Sequence, residues 1–330
     1  MAYRVDTEDQ GGRAVYTLRD ESSGASASVL PSYGFNLFDL RLPAAGEVRR
    51  VIVAADDFAA NPSKPGRNGT PVLFPFPNRI REGKYTFAGK SYQVPLTTQP
   101  HAIHGFAIMA KWDVVEHGTS ADGAFLVGRF HLAENNPEMR PFWPTDAILT
   151  IRYALSGRRL GMTITVTNPT DQDLPYGFGI HPYFRIPFAS KDLSQGRMIL
   201  PASEYWPQEG NLPTGERKPV DARLDFRKGQ SMAGQKLDDI LTGLAFEGDR
   251  CVCRLRDEAL GAEFRLGFDR NFRELVVFSP PFGEGTLTAV EPYTQTTDAI
   301  NLQPRGVDAG LRVLGHGESS TMAIDMETVG

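Results

Sequence analysis

At 330 residues, 41% hydrophobic and 23% charged, the chain has an ordinary globular composition, with enough apolar residues for a large core. Its formal net charge of −5 and the lack of a long basic run argue against nucleic acid or an anionic membrane as the main partner. Residues 1–6 are polar rather than signal-like, and no apolar run is long enough to span a bilayer.

Taken in order, the chain alternates between apolar and polar residues. Phe38, Leu40 and Leu42 are separated by Asp39 and Arg41. Leu160, Met162, Ile164 and Val166 are separated by Gly161, Thr163 and Thr165. The same period of two recurs at Phe264, Leu266 and Phe268, and at Met322, Ile324 and Met326. Each pattern is that of a half-buried strand. Turn clusters separate them, among them Asn61-Pro62-Ser63, Asn168-Pro169-Thr170 and Pro280-Pro281-Phe282-Gly283. With 33 glycines and 24 prolines, the composition suits many short strands. Helical periodicity is scarce, and a short helix is expected only over residues 237–246. Residues 62–81 and 201–218 read as long irregular stretches, which often line sites. These features predict one all-β domain over residues 1–330, with sheets packed face to face.

Two cysteines, Cys251 and Cys253, flank Val252 and share one face of an extended segment. They are poorly placed for a mutual disulfide and do not resemble part of a four-ligand zinc site. A reducing, cytoplasmic setting is expected.

Four polar clusters sit in apolar surroundings. Leu73-Phe74-Pro75-Phe76-Pro77-Asn78-Arg79-Ile80 carries an arginine that needs acceptors if buried. It is either a loop arginine with a carboxylate partner or a fork for ligand oxygens. His101-Ala102-Ile103-His104-Gly105-Phe106, followed by Trp112, contains two histidines. Pro100 and Gly105 disfavour the helix that a metal pair at this spacing needs, so a neutral imidazole facing a ligand is a better reading than a metal pair, with a plain surface histidine as the alternative. Gly177-Phe178-Gly179-Ile180-His181-Pro182-Tyr183-Phe184 holds a histidine on a stiff segment, which on residue type alone reads as a satisfied core histidine more often than as a tuned acid–base. Pro182 biases His181 toward extended backbone, and Gly177 and Gly179 allow close approach. Ala289-Val290-Glu291-Pro292-Tyr293-Thr294 puts a carboxylate at the end of an apolar run. That carboxylate is either salt-bridged or desolvated toward neutrality for base work. His117, His131 and His316 read as surface residues.

Set in order, these clusters resemble the aldose 1-epimerase (mutarotase) family. The resemblance runs from Asn78-Arg79-Ile80 to His104-Gly105 with Trp112, then Phe142-Trp143-Pro144 and a strand pair ending in Asn168. It continues through His181-Pro182-Tyr183-Phe184, Leu212-Pro213-Thr214-Gly215-Glu216 and Leu237-Asp238-Asp239. It closes with Glu291-Pro292-Tyr293-Thr294 and Asp298-Ala299-Ile300-Asn301. The ordered set is specific where no single motif is. It implies a large twisted antiparallel β-sandwich of the galactose mutarotase-like "supersandwich" type. Glu291 matches the family's general base and His181 its general acid, which together open the sugar ring. Asn78, Arg79, His104 and Tyr183 match substrate-binding positions, and Asp238 matches a hydroxyl-binding one for which Asp239 competes.

The resemblance therefore implies a monosaccharide substrate, no cofactor, no metal, and a monomer or homodimer. His181 and Glu291 are expected to face one another across a sugar-sized gap. Two stretches depart from the galactose mutarotase pattern: Gln99-Pro100-His101-Ala102-Ile103, and Pro182 after the histidine. A hexose-6-phosphate epimerase remains an alternative, with Arg81 and Lys84 as candidate phosphate holders. So does a non-catalytic sugar-binding module. A glycosidase would need a second well-placed carboxylate.

Overall fold

A computed structural model describes residues 3–188, 192–281 and 287–330. Phe282 and Gly283 of the expected turn cluster lie outside the described residues. Two large sheets dominate, and every pairing between named strands is antiparallel, as the alternation requires. The first sheet is 13-stranded. Its main path runs Tyr3–Asp9, Ala14–Asp20, Ala25–Leu30, Asn36–Ala44, Glu47–Ile52, Tyr183–Arg185, Leu287–Tyr293, Glu274–Phe278, Asp238–Leu244, Ala202–Trp206 and Lys218–Pro219. The second is nine-stranded, running from Asp113–Ser120 through Arg159–Thr167, Ser319–Val329 and Ala262–Asp269 to Gln230–Ser231.

The second sheet shows why its residues are strands. Leu160, Met162, Ile164 and Val166 are buried, and Leu160, Met162 and Ile164 sit opposite Met326, Ile324 and Met322. Met326 and Ile324 in turn sit opposite Leu266 and Phe268. One face thus presents an unbroken apolar ladder, each side chain worth about 1.5–3 kcal/mol on burial. That face packs on the first sheet, where Ala14–Asp20 lies against Gly123–His131 and Asn36–Ala44 against Ser319–Val329. A continuous core joins the two, including Leu40 and Leu42 from one side and Ile164 and Ile324 from the other. Cys251 and Cys253 are free and buried in the strand Arg250–Asp257.

Three expectations need correction. Residues 238–244 form a strand, not a helix, because Asp238, Ile240 and Leu241 pair with Phe278, Val276 and Leu275. Tertiary pairing decides a short apolar run that is ambiguous by period. Phe38 leaves the main core: a bulge between Ser28 and Val29 lets Asp39 and then Leu37 pair, which turns Phe38 toward Phe58 on the other side. The stretch over residues 201–218 is not irregular, since Ala202–Trp206, Gln208–Glu209 and Leu212–Pro213 are strands.

The middle of the first sheet is buried on both faces. In Leu287–Tyr293 every residue after Leu287 is buried. Leu275, Val277 and Val290 belong to the main core. Ile240, Val276 and Tyr293 form a second cluster on the opposite face with Leu73, Ile108 and Trp206. Segments from residues 64–80 and 101–109 cover that second face. The candidate site lies between them and the sheet.

Candidate active site

The four strand segments Tyr183–Arg185, Leu287–Tyr293, Glu274–Phe278 and Asp238–Leu244 are neighbours in the sheet, so residues remote in sequence share one face. Glu291 lies opposite Val276, and Phe278 opposite Asp238. His181 sits just outside the sheet, between Gly179–Ile180 and Tyr183–Arg185. Its backbone N–H donates to the Pro71 carbonyl at 3.0 Å. Close approach at the glycines is real: a Cβ on Gly179 would lie 2.3 Å from the Tyr293 ring, and one on Gly177 2.3 Å from Gln295.

The covering segments bring the remaining groups. Arg79–Ile80 pairs with Ala102–Ile103, and His104 N–H donates to the Asn78 carbonyl at 2.8 Å. Asn78 and His104 both have left-handed backbone, with φ of 55° and 67°. Such a conformation costs a non-glycine residue about 1–3 kcal/mol and persists where packing over-determines it. It turns Asn78, Arg79 and His104 onto the sheet face carrying Glu291.

All of the sequence-derived site residues line one cavity of about 210 Å³: Asn78, Arg79, His104, His181, Tyr183, Asp238 and Glu291. His181 Nε2 lies 3.3 Å from Glu291 Oε1. The expected sugar-sized gap between them is therefore absent. They meet directly, with only 6% and 1% of their surfaces exposed. Glu291 Oε2 accepts a 2.5 Å hydrogen bond from the Tyr293 hydroxyl. Tyr183 stacks on His181 with ring centroids 4.8 Å apart, its hydroxyl 3.4 Å from Nε2. That hydroxyl donates to the Gly66 carbonyl. His104 packs edge-on against His181 at 5.6 Å.

Burial pushes the Glu291 carboxyl well above the usual range. The Tyr293 hydrogen bond and Arg79 oppose this, while Asp238 adds to it. Burial lowers His181 to about 3. Burial also lowers His104, helped by the charges of His181 and Arg79, so its imidazole is neutral near neutral pH. Among the described residues, the Nδ1 atoms of His104 and His181 are buried without a hydrogen-bond partner. Arg79 forms no ion pair among the described residues; its Nη1 donates to Asn78 Oδ1 at 2.9 Å. Its guanidinium therefore remains available to oxygens in the cavity.

The two aspartates separate cleanly. Asp238 lines the cavity, whereas Asp239 points to the other side and takes a bidentate pair from Arg223 at 2.9 and 2.7 Å. Asp238 is open to solvent along one edge, yet crowding protein raises its pKa against the pull of Arg79, and Asp239 adds to the rise. Arg81 and Lys84, the candidate phosphate holders, do not line the cavity. Arg81 pairs with Asp298 at 3.7 Å and Lys84 with Glu82 at 2.8 Å. His131 is not a free surface histidine, since it is half-buried between Asp146 and Glu134.

Gly66, Arg67, Ile103, Val276, Phe278, Pro281 and Tyr293 also line the cavity and were not singled out from sequence as site residues. Arg67 had a signal: a cation inside a glycine- and proline-rich stretch. Val276 and Phe278 had none, because a cavity-lining apolar residue in a doubly buried strand reads like core. No cluster of three or more metal-ligating side chains occurs among the described residues. No helix among the described residues is long and apolar enough to cross a membrane.

A catalytic-looking His–Glu contact, an arginine and a second histidine around one small cavity on a β-sandwich invite comparison with known proteins. The solved structure of a galactose mutarotase-like protein from Clostridium acetobutylicum superposes with a TM-score of 0.88 at 22% identity, covering 99% of this chain and 98% of that one. The chain is 31% identical to the uncharacterized protein YihR of Escherichia coli over 172 residues, 51% of this chain and 52% of that protein. It is 24% identical to the aldose 1-epimerase of Escherichia coli over 230 residues, covering 68% of this chain and 63% of that enzyme. The matched stretches thus span between about half and two thirds of these curated relatives' lengths. The family profile described as aldose 1-epimerase matches residues 14–327, and the chain belongs to that family.

Proposed function

We propose that residues 1–330 form one catalytic domain, a mutarotase that interconverts the α and β anomers of a free aldohexose. Glu291 is the base and His181 the acid. The observation that carries this reading is the 3.3 Å contact between Glu291 Oε1 and His181 Nε2, both buried at a cavity of about 210 Å³. The cavity is smaller than the roughly 300–1,000 Å³ of drug-sized ligand sites, which suits a single sugar ring. Close approach of acid and base suits the chemistry. The anomeric and ring oxygens are bonded to the same carbon, closer together than a hydrogen bond is long.

The step balances within the pair. Glu291 as carboxylate takes the proton of the anomeric hydroxyl. The C1–O1 bond becomes a carbonyl as the bond from C1 to the ring oxygen breaks. The His181 imidazolium gives its Nε2 proton to that oxygen. Rotation about C1–C2 turns the other face of the aldehyde to the hydroxyl. Reclosure returns one proton to His181 and the other to O1. The pair holds one proton throughout, on either residue, so no exchange with solvent is required. Positioned acid–base help of this kind is worth about 10²–10⁴-fold. Arg79 and the neutral His104 bind sugar oxygens, Asn78 holds Arg79, and Asp238 accepts from a sugar hydroxyl. Tyr183 packs behind His181 at the cavity wall.

A second reading is a hexose carrying a phosphate. A neighbouring cavity of about 420 Å³ shares Gly66, Arg67, Ile103 and His104 with the first and adds Lys64, Thr97 and Thr98. Among the described residues no acidic one lines it. Anomer-exchange NMR on glucose, galactose and glucose 6-phosphate tests both readings. Accelerated exchange of a free hexose is the expected result. Acceleration confined to the phosphate ester favours the second reading, and no acceleration of any sugar overturns both.

A further inference from the structure

The proposed acid and base carry the same local sequence, His181-Pro182-Tyr183 and Glu291-Pro292-Tyr293. The middle proline holds the preceding residue in extended backbone. In extended chain, residues two apart point to the same side, so each tyrosine stands beside the titrating group it follows. The two tyrosines nevertheless spend their protons differently. Tyr183 directs its hydrogen to the Gly66 carbonyl and meets His181 Nε2 at 3.4 Å. Tyr293 directs its hydrogen to Glu291 Oε2 at 2.5 Å.

We infer that Tyr293 is a positioning residue for the base: its hydroxyl holds Oε2 of Glu291, so that Oε1 alone faces His181 and the substrate. The inference rests on the reading of Glu291 as the base. The Tyr293 ring is fully buried and backed by Gly179, where any side chain would strike it. On its own sheet face it packs with Leu73, Ile108, Trp206, Ile240 and Val276, so the hydroxyl has little freedom to turn away. With Oε2 already accepting the Tyr293 hydrogen, Oε1 is the oxygen turned to His181. The same bond favours Glu291 as an anion, the form that begins ring opening.

Among the described residues, the charged and titratable groups that share the cavity with Glu291 are His181, His104, Arg67, Arg79, Asp238, Tyr183 and Tyr293 itself. Removing the Tyr293 donor biases the shared proton toward Glu291. The alkaline limb of the pH–rate profile reports loss of that proton, so it should move to higher pH.

Tyr293→Phe should lower kcat for anomer exchange by about 10- to 100-fold, the worth of a hydrogen bond to a charged group, with KM unchanged. Its alkaline limb should move upward. Gly179→Ala keeps every hydroxyl but presses on the ring, and should move the limb the same way. Adding Tyr293→Phe to Glu291→Gln should cost nothing further. A fall in kcat with an unmoved limb, or no fall at all, overturns the inference. Infrared titration of the carboxyl band that disappears in Glu291→Gln gives a readout independent of turnover. In Tyr293→Phe that band should persist to higher pH even if the wild-type protein exchanges no sugar, in which case the mutarotase reading fails separately. An unshifted band contradicts the role of Tyr293.

Discussion

The strands Arg159–Thr167 and Leu287–Tyr293 are built on opposite logics. In the first, Leu160, Met162, Ile164 and Val166 are buried and the residues between them are partly or fully exposed. In the second, six consecutive residues from Thr288 to Tyr293 are buried, one of them an ionisable glutamate. The first strand spends its burial on stability. The second accepts a desolvated carboxyl, which destabilises the folded state wherever that carboxyl must ionise. Hence a residue of the first strand should matter for folding and a residue of the second for chemistry.

The largest effect is expected at the site strand. Glu291→Gln should lose roughly 10²–10⁴-fold in anomer-exchange rate while still binding sugar, and His181→Asn should do likewise. Polarimetry and sugar titration check this. On the other strand, Ile164→Ala should destabilise by about 2–5 kcal/mol in denaturant unfolding, leaving kcat of the folded fraction unchanged. Next come the adjacent aspartates. Asp238→Asn should raise KM about 10- to 100-fold, since one hydrogen bond to a charged group is worth about 1.5–3 kcal/mol. Asp239→Asn should leave kinetics alone and cost at most about 1 kcal/mol of stability, because its partner Arg223 is half exposed.

The smallest effect sharpens the comparison through pH. Burial raises the folded-state pKa of Glu291 above its unfolded value. The folded protein therefore binds that proton more tightly, and the corresponding stability is lost as pH rises from the ordinary carboxylate range through the raised folded pKa. Glu291→Gln removes this loss. Its melting temperature should exceed wild type by an amount that grows with pH across that window. The gain should be roughly 1.5 °C per kcal/mol relieved, from about 2.1 cal/mol/K of unfolding entropy per residue. A constant or negative difference breaks the contrast between the two strands. For activity, the one-proton pair predicts a broad plateau. The acid limb falls where His181 also protonates, about 3 in the empty site, and the alkaline limb lies well above ordinary carboxylate values.

Legibility followed the same division. The second sheet could be read from alternation because one face of it meets the core and the other meets solvent. The middle of the first sheet could not. Asp238–Leu244 is short, apolar and buried on both sides, and its period does not separate helix from strand. Phe38 was misplaced because a bulge changes the phase of a strand without marking the sequence. At the site, the residues that carry unusual chemistry in apolar settings stood out individually: Arg79, His104, His181 and Glu291. Their convergence followed only from the family resemblance, because in the residues themselves it depends on strand pairings such as Tyr183 with Ala289 and Val276 with Glu291. The direct His181–Glu291 contact was likewise invisible, since a spacing of side chains across strands has no linear signature. Asp238 over Asp239 follows only once the strand register is known. Tyr293 was legible in principle, through the repeated Pro-Tyr after each titrating residue.

The central claim is that Glu291 and His181 share one proton to open and close a sugar ring. The most direct test is exchange NMR between glucose anomers at neutral pH, comparing wild type with Glu291→Gln at equal, sugar-saturating concentrations. The account predicts accelerated exchange in the wild type, and in the variant a bound sugar that exchanges its anomers no faster than in buffer. Near-wild-type exchange in Glu291→Gln would contradict it.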